Sequence, residues 1–163
     1  MKILLVSDTH GHTKELAELL EQYKDDADIK MVVHMGDLAE DLLGFKAQYP
    51  GLTLEAVSGN TDYYANAPSE LLLTVTDTFR IFVTHGHTKN VKMGLDRLAY
   101  YAKEKGAAAC FFGHTHMPIV TAQQGIFVMN PGSLVEPRDG SKAGYGIVTI
   151  SETGAISGEV ISI

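Results

Sequence analysis

Six of the seven histidines in this chain occur as three pairs separated by one residue, a spacing that can hold metal ions. The pairs are His10/His12, His85/His87 and His114/His116. In extended chain, residues i and i+2 point to the same side, so each pair can present two imidazole rings together. Two carboxylates and one amide stand in similar polar segments: Asp8, Asp37 and Asn60. Imidazole, carboxylate and amide ligands without thiolate favour manganese, iron, cobalt, nickel or zinc.

A set of seven protein ligands exceeds what one ion accepts and suits two ions that share a bridging ligand. The seven candidates are Asp8, His10, Asp37, Asn60, His85, His114 and His116. Two ions ~3.5–4 Å apart are the arrangement used for in-line displacement at phosphorus. Such ions lower the pKa of a bridging water to give hydroxide, and they neutralise the phosphate oxygens as charge develops. The residue types therefore predict hydrolysis of a phosphate ester.

Each polar segment follows a short apolar run that predicts a buried strand. These runs occupy residues 2–7, 29–35, 52–58, 79–84 and 107–112. Amphipathic spacing predicts a helix over residues 13–24 and a shorter one around 40–48, so the chain opens as β-α-β-α-β. Ligands of such folds gather beyond the carboxyl ends of the strands, so we expect the polar segments to meet in one crevice.

The second half of the sequence predicts antiparallel strands as well. Residues 71–76 and 79–84 predict a hairpin, and Asn90 is predicted to cap a helix that ends at Gly106. Further runs over 118–122, 127–130, 146–150 and 155–161 predict closing antiparallel strands. The pattern favours a four-layer α/β/β/α sandwich of two mixed sheets flanked by helices, formed as one domain over residues 1–163.

Composition disfavours several classes of function. Lysine and arginine number 13 against 20 aspartates and glutamates, a net charge of −7, which disfavours a stable nucleic-acid complex or binding to an anionic membrane. The single Cys110 excludes an intrachain disulfide and predicts a buried apolar residue. No apolar stretch is long enough for a membrane helix, and no signal-peptide pattern opens the chain, so we expect a cytoplasmic protein. Homo-oligomerisation stays open.

The polar segments, in this order, resemble the motifs of the calcineurin-like metallophosphoesterase superfamily. The matching segments are Asp8-Thr9-His10, Gly36-Asp37, Gly59-Asn60, His85-Gly86 and Gly113-His114-Thr115-His116. Chain size, the THGH segment and the NPGS turn at residues 130–133 look most like the small single-domain phosphodiesterases of bacteria and archaea. The resemblance implies the sandwich fold and a small phosphodiester substrate, hydrolysed by attack of a hydroxide that bridges two ions. Manganese is the first expectation, with nickel, iron, zinc and cobalt as alternatives.

The resemblance also implies a role for each candidate ligand. Asp8, His10 and His116 would hold the first ion. Asn60, His85 and His114 would hold the second ion. Asp37 would bridge the two ions, and Asp8 could lean towards the bridge as well.

One segment departs from the superfamily pattern. Many members carry Gly-Asn-His followed by an acidic residue, and that histidine contacts the phosphate; here the segment is Gly59-Asn60-Thr61-Asp62. Threonine can donate a hydrogen bond to a phosphate oxygen but is no general acid near neutral pH. We therefore expect Thr61 to contact the phosphate. Either the enzyme prefers esters with acidic leaving groups, or His87 acts as the substitute acid.

Other polar residues have two interpretations each. His12 and Arg138 are expected to face solvent, with substrate contact as the alternative. His34 is expected to be a buried, hydrogen-bonded residue, although its ring could donate to a ligand carboxylate. Asp62 could orient a ligand or be solvated. The segments expected to set specificity are Tyr63-Tyr64, Lys89 and residues 136–142.

Two rival functions remain beside the phosphodiesterase hypothesis. A phosphomonoesterase would use the same chemistry. A non-catalytic scaffold is the other rival, because a eukaryotic retromer subunit has a similar fold and serves protein assembly, with a weakened metal site. Fold alone does not separate these functions. A scaffold would tolerate loss of the ligand histidines, whereas His10, His85, His114 and His116 are all present.

Overall fold

The computed structural model describes residues 1–63 and 65–163, and in them two five-stranded mixed sheets pack face to face. The strands are β1 (Lys2–Val6), β2 (Ile29–His34), β3 (Thr53–Ala56), β4 (Glu70–Thr74), β5 (Arg80–Thr84), β6 (Ala109–Phe111), β7 (Pro118–Gln123), β8 (Ile126–Pro131), β9 (Gly144–Ile150) and β10 (Ile156–Ser162). The α-helices are α1 (Thr13–Tyr23), α2 (Glu40–Leu43) and α3 (Asp96–Glu104). Each predicted strand is present, with ends shifted by a few residues.

The first sheet has the order β10-β9-β1-β2-β3, and the second has the order β4-β5-β6-β8-β7. In the first sheet, β1, β2 and β3 run parallel, whereas β9 is antiparallel to β1. In the second sheet, β5, β6 and β8 run parallel, whereas the hairpin strand β4 and the edge strand β7 are antiparallel to their neighbours. The predicted hairpin is thus confirmed.

Alternation of apolar side chains along β1 explains the layering. Ile3 and Leu5 point into the interface between the two sheets, where they meet Phe111 of β6. Leu4 and Val6 point the other way and pack under α1. On the far side of the second sheet, Cys110 and its neighbours pack against α3. The four layers are therefore helix, sheet, sheet and helix, which confirms the predicted sandwich.

The helices differ from the sequence prediction at two places. The third helix begins at Asp96 rather than after Asn90, because Asn90 has a left-handed backbone (φ 56°) and Gly94 breaks the following turn (φ 140°). The segment between β5 and α3 holds two short 3-10 helices, His87–Lys89 and Val91–Met93. The helix predicted over 40–48 is regular only over Glu40–Leu43. No helix in the described residues is long and apolar enough to cross a bilayer.

Candidate metal centre

All seven candidate ligands lie in loops at the carboxyl ends of parallel strands, at one end of the sandwich. The first sheet contributes loops after β1, β2 and β3, and the second contributes loops after β5 and β6. The seven side chains, here called the ligand cluster, are Asp8, His10, Asp37, Asn60, His85, His114 and His116. They meet although up to 108 positions separate them in the chain, because both sheets direct these strands towards the same end.

Four members of the ligand cluster place one donor atom each within 4.8 Å of all the others: Asp8, His10, Asp37 and His116. The Nε2 atom of His116 lies 3.2 Å from Oδ1 of Asp8 and 3.4 Å from Nε2 of His10. Asp37 closes the group, with its Oδ2 atom 3.9 Å from Nε2 of His10. Two imidazoles and two carboxylates at these spacings can hold one divalent ion. We call these four residues the first group.

The remaining members gather on the other side of Asp37. The Nε2 atom of His85 lies 3.4 Å from Oδ1 of Asp37 and 3.1 Å from Oδ1 of Asn60. The ring of His114 stands 5.0 Å from the ring of His85, measured between centroids. Asp37 therefore turns one carboxylate oxygen towards each side. We call Asp37, Asn60, His85 and His114 the second group.

Backbone carbonyls orient two of the cluster histidines. Nδ1–H of His85 donates to the carbonyl of Met35 at 2.6 Å, and Nδ1–H of His116 donates to the carbonyl of Glu136 at 2.6 Å. A carbonyl can only accept, so each ring carries its proton on Nδ1 and turns the Nε2 lone pair towards the ligand cluster. This is the tautomer that metal-binding histidines adopt when a carbonyl holds the other nitrogen.

Asp8 is fixed by one oxygen and leaves the other without a hydrogen-bond partner. Its Oδ2 atom accepts from the hydroxyl of Ser7 at 2.6 Å and from the backbone N–H of His114 at 3.1 Å. Among the described residues, three buried side-chain atoms lack a hydrogen bond: Oδ1 of Asp8, Oγ1 of Thr61 and Nδ1 of His87. All three belong to predicted site residues. Buried polar atoms without partners are costly, so this set fits a centre that takes cations and an oxygen-rich ligand.

The carboxylates and two of the histidines stabilise each other's charges. Burial opposes ionisation of Asp8, but the neighbouring ring of His116 and the charge of His85 outweigh it and lower the pKa. The pKa of Asp37 is also lowered, because His85 outweighs the effect of burial. In the opposite sense, burial works against protonation of His85 and His116, but Asp37 and Asp8, respectively, raise the pKa of these rings. Divalent cations would occupy the place that these protons take.

Two more histidines at the site, His114 and His87, have lowered pKa values. Burial and the charge of His85 lower the pKa of His114 to about 4. Burial, followed by the charge of His85, also lowers the pKa of His87. Neutral imidazole is the metal-binding form of histidine. His114 is therefore ready to bind an ion without losing a proton first.

Five members of the ligand cluster have a left-handed backbone. The φ angles are 54° at Asp8, 48° at His10, 60° at Asp37, 67° at His114 and 59° at His116. This conformation costs a residue with a Cβ atom about 1–2 kcal/mol. Strained conformations of this kind persist where the fold needs a side chain at a given place, and they concentrate at functional sites.

Two motif glycines are explained by the close approach of the loops. A Cβ atom at Gly59 would collide with the backbone nitrogen of Asp37 (2.5 Å) and with its Oδ1 atom. A Cβ atom at Gly113 would collide with Oγ of Ser7 and would lie 2.9 Å from Oδ2 of Asp8. Each glycine lets a neighbouring loop bring its carboxylate into the ligand cluster.

Asp62 has the orienting role that was one of its two interpretations. Its Oδ2 atom accepts from the backbone N–H groups of Asp37 (2.9 Å) and Gly59 (2.6 Å), and its Oδ1 atom accepts from that of Ala39 (2.9 Å). One carboxylate thus ties the loop after β2 to the loop after β3. Thr61 adds a further link, since its N–H donates to Oδ1 of Asp37 at 3.0 Å.

His34 is a buried and satisfied histidine, as expected, and it does not donate to a ligand carboxylate. Its Nδ1 atom accepts from the N–H of Gly36 at 3.1 Å, so Nε2–H donates to Oγ1 of Thr9 at 2.9 Å. The Thr9 hydroxyl in turn donates to Asp41 at 2.6 Å, and Asp41 also accepts from the N–H of Gly11. Burial lowers the pKa of His34 to about 4. This relay connects the loops that carry His10 and Asp37.

The turn after β8 supports the other side of the ligand cluster. The amide of Asn130 donates to the carbonyl of Gly113 at 2.9 Å, and the hydroxyl of Ser133 donates to the carbonyl of Asp8 at 2.8 Å. Contacts of Asn130 and Ser133 beside the candidate ligands were one of two interpretations of this turn, and both contacts are present. The supporting roles of Ser7 and Asp41 were not predicted. Ser7 could have been found from its position, since it is a small polar residue between an apolar run and the first motif.

Of the residues considered as substrate contacts, His87 and Thr61 lie at the ligand cluster, whereas His12 and Tyr63 are exposed. His87 faces the ligand cluster, with its ring 5.3 Å from His85 and 6.0 Å from His114, and Thr61 stands beside Asp37. His12 is exposed, as expected, and its Nδ1 atom lies 3.0 Å from the carbonyl of Thr9. Tyr63 is 82% exposed, and Tyr64 lies outside the described residues.

The interpretation of Lys89 as a specificity residue is wrong. Lys89 is buried, its ammonium group pairs with Glu70, and it lies over the ring of Tyr101 at 4.2 Å from the centroid. The ammonium group of Lys89 therefore interacts with other side chains of the fold and does not face a substrate. The sequence could not show these contacts, because the two partners lie in other elements: Glu70 in β4 and Tyr101 in α3.

The sequence has relatives among known phosphoesterases. Residues 1–153 match the family model described as the calcineurin-like phosphoesterase superfamily domain. The chain is 33% identical to the probable metallophosphoesterase YsnB of Bacillus subtilis, over 95% of this chain and 88% of that protein. It is 26% identical to the phosphodiesterase YfcE of Escherichia coli, over 91% and 87% of the two chains.

Solved structures show the same fold. A predicted phosphoesterase from Streptococcus pneumoniae superposes with a TM-score of 0.78 at 28% identity, covering 98% of this chain and 97% of that one. Vps29 of Entamoeba histolytica, solved in complex with zinc, superposes with a TM-score of 0.76 at 17% identity over 99% and 98% of the chains. The second likeness concerns the fold alone.

Proposed function

The chain belongs to the calcineurin-like phosphoesterase superfamily, and from this premise we propose that it is a phosphodiesterase with two divalent ions in the ligand cluster. The first group would hold one ion through Asp8, His10 and His116. The second group would hold the other through Asn60, His85 and His114, with Asp37 shared between them. Manganese is the first candidate, followed by nickel, iron, zinc and cobalt, because these ions accept mixed imidazole and carboxylate ligands.

The observation that carries this proposal is the position of Asp37 between two groups of ligands. Its Oδ2 atom lies 3.9 Å from Nε2 of His10, while its Oδ1 atom lies 3.4 Å from Nε2 of His85. A carboxylate that presents one oxygen to each side can hold two cations close together despite their repulsion. When bound, two such cations would supply a nucleophile from water at neutral pH and neutralise the charge of a phosphate ester.

The residues of the chain supply orientation. Asp62 fixes the loops of Asp37 and Asn60, and the carbonyls of Met35 and Glu136 fix the rings of His85 and His116. Catalysis by precise placement depends on such supports, since a displacement of about 1 Å can cost 100-fold in rate. No phosphoenzyme is part of this proposal, because no serine or cysteine stands in the ligand cluster as a nucleophile.

Thr61 and His87 are proposed to contact the substrate. Both leave a buried polar atom without a partner, and both stand at the rim of the second group. The hydroxyl of Thr61 can donate to a phosphate oxygen. The ring of His87 faces the second group, and its pKa is lowered in the free protein. It can hold a proton for the departing alkoxide when the negative charge of a bound phosphate raises that pKa, which makes His87 the candidate for the general acid that threonine cannot be.

A metal reconstitution experiment tests the proposal. The metal-free protein should be inactive towards bis(4-nitrophenyl) phosphate and should regain hydrolysis with Mn²⁺ or Ni²⁺, with two ions bound per chain. Hydrolysis of 4-nitrophenyl phosphate faster than of the diester would identify a phosphomonoesterase instead. Failure with every divalent ion tried, together with no bound metal, would favour a scaffold.

A variant of His87 tests its role. His87→Ala should lower kcat for methyl 4-nitrobenzyl phosphate, which has a basic leaving group, by about 100-fold, the usual contribution of a general acid. It should lower kcat for bis(4-nitrophenyl) phosphate much less, because nitrophenolate leaves without a proton. His12→Ala, which alters a histidine outside the ligand cluster, is the control. Equal losses on both esters would remove His87 from this role.

A further inference from the structure

A depression of about 330 Å³ lies next to the ligand cluster and carries two cationic side chains. It is lined by Val91, Lys92, Thr115, Met117, Arg138 and Asp139, and we call it the cationic groove. One wall is formed by Val91 and Lys92, which come shortly after His85 and His87 in the chain. The other wall includes Thr115, which stands between the two candidate ligands His114 and His116.

The backbone joins the cationic groove to the ligand cluster. The N–H of Arg138 donates to the carbonyl of His116 at 3.4 Å, and the hydroxyl of Ser141 donates to the carbonyl of Arg138 at 2.6 Å. The segment that carries Arg138 also supplies the Glu136 carbonyl that orients His116. An anion in the groove would therefore lie beside a phosphate held by the first group.

Both cations of the groove are available to a ligand. Lys92 and Arg138 are exposed, and within residues 1–63 and 65–163 neither has a carboxylate within ion-pairing distance. Asp139 is the one acidic residue in the lining, so the groove is cationic on a chain with a net charge of −7. Local positive charge on an acidic protein attracts anions that the remaining surface repels.

An apolar pocket continues the groove. It has a volume of about 170 Å³, shares Val91, Thr115 and Met117 with the cationic groove, and adds Leu95, Phe112 and Ile119 among its lining. A substrate that spans both spaces would place an apolar part on Met117 and an anionic part between Lys92 and Arg138.

Resting on the proposed phosphodiesterase function, we propose that the cationic groove binds a second anionic group on the substrate, carried by the alcohol that is esterified to the scissile phosphate. The substrate class is then a phosphodiester with an additional carboxylate or phosphate on an apolar linker. Lys92 and Arg138 determine this specificity, and they take no part in the chemical step.

Three phosphodiesters test the proposal. In each, the phosphate is esterified to 4-nitrophenol, which is the leaving group in all three, and to a second aryl ring. The second aryl ring carries hydrogen, a carboxylate or a phosphonate at its para position. We expect wild-type protein to show a kcat/KM about tenfold higher for the carboxylate and higher again for the phosphonate, relative to hydrogen. The double variant Lys92→Met/Arg138→Met should reduce this preference about tenfold, mainly through KM. Lys46→Met/Lys103→Met, which removes two exposed cations elsewhere, should retain it.

The outcomes separate the two proposals. Hydrolysis of all three esters without preference, or an equal loss on all three in the double variant, would overturn the groove proposal and leave the phosphodiesterase intact. If no ester is hydrolysed with any ion, calorimetric titration of the metal-loaded protein with phenylphosphonate and 4-carboxyphenylphosphonate decides the matter. Tighter binding of the carboxylate form, lost in the double variant, would still support the groove; equal binding would overturn it.

Discussion

The two ends of the sandwich differ in the residues that adopt a left-handed backbone. At the end opposite the ligand cluster, the left-handed positions include Gly106 (φ 68°) and Gly125 (φ 81°), and one residue with a Cβ atom, Gln124 (φ 53°). Glycine adopts these angles without steric cost. At the site end, glycines such as Gly36 are left-handed as well, but five further left-handed positions carry aspartate or histidine.

This difference shows where side chains are kept despite their conformational cost. A left-handed residue with a Cβ atom is less stable by about 1–2 kcal/mol, and the ligand cluster holds five of them. The same end also holds the three buried side-chain atoms that lack a hydrogen bond in residues 1–63 and 65–163. The site end thus concentrates strained, unsatisfied groups that a ligand can satisfy.

The largest effect should follow from removing the shared carboxylate. Asp37→Asn should lower diester hydrolysis at least about 1,000-fold, because metal ions contribute several kcal/mol to transition-state stabilisation. Metal content, measured by mass spectrometry of the reconstituted protein, should fall below two ions per chain. Asp77→Asn makes the same change in the β4–β5 turn at the far end and should have no effect. Full activity of Asp37→Asn would contradict the shared role.

A smaller effect should follow from removing the support behind Asp37. Asp62→Ala leaves three backbone N–H groups without their acceptor, so the free energy of unfolding should fall by about 3 kcal/mol. Metal affinity should fall by about 10–100-fold, as for other outer supports of metal ligands. Urea denaturation and metal titration measure the two effects.

The far end again offers the control. Asp26 accepts a single backbone N–H, from Asp28, so Asp26→Ala should cost less than about 1.5 kcal/mol and should not change metal affinity. If Asp62→Ala loses stability but binds metal as tightly as the wild type, Asp62 does not position the ligands.

The sequence was sufficient to predict the strands and the set of residues that meet in the ligand cluster. Continuous apolar runs mark strands buried on both faces, and the polar residues behind them converge because parallel strands end at one edge. The start of α3 was not predictable from Asn90, because the break depends on the φ angles of Asn90 and Gly94. The three bonds of Asp62 and the burial of Lys89 were hidden as well, because their partners lie in other loops and strands.

The charge pairs at the site end predict how metal binding depends on pH. The pKa values of His85 and His116 are raised above the usual 6.5, so in the metal-free protein these rings take up a second proton, on Nε2, more readily than a free imidazole does. Metal must displace these protons, so affinity should increase with pH. We expect at least about a tenfold gain in Mn²⁺ affinity from pH 6 to pH 8.

Calorimetry in two buffers of different ionisation enthalpy would count the protons released. His12→Gln should preserve the pH dependence, because His12 stands outside the ligand cluster. A metal affinity independent of pH across this range would show that the protons of His85 and His116 do not compete with the ions.

The smallest expected effect comes from exchanging residue types at left-handed positions of the two ends, which tests the conformational cost directly. His10→Gly should make the metal-free protein more stable than His10→Ala by about 1 kcal/mol, since glycine relieves the left-handed strain while both variants lose the same ring. Gly125→Ala should destabilise by a similar amount, although nothing lies within 4 Å of the added Cβ, because φ is 81° there. Thermal unfolding with chelator measures both. If His10→Gly were no more stable than His10→Ala while Gly125→Ala was destabilised, the strain at the ligand cluster would already be relieved by its surroundings, and the cost of keeping a side chain there would lie in the unsatisfied polar atoms alone.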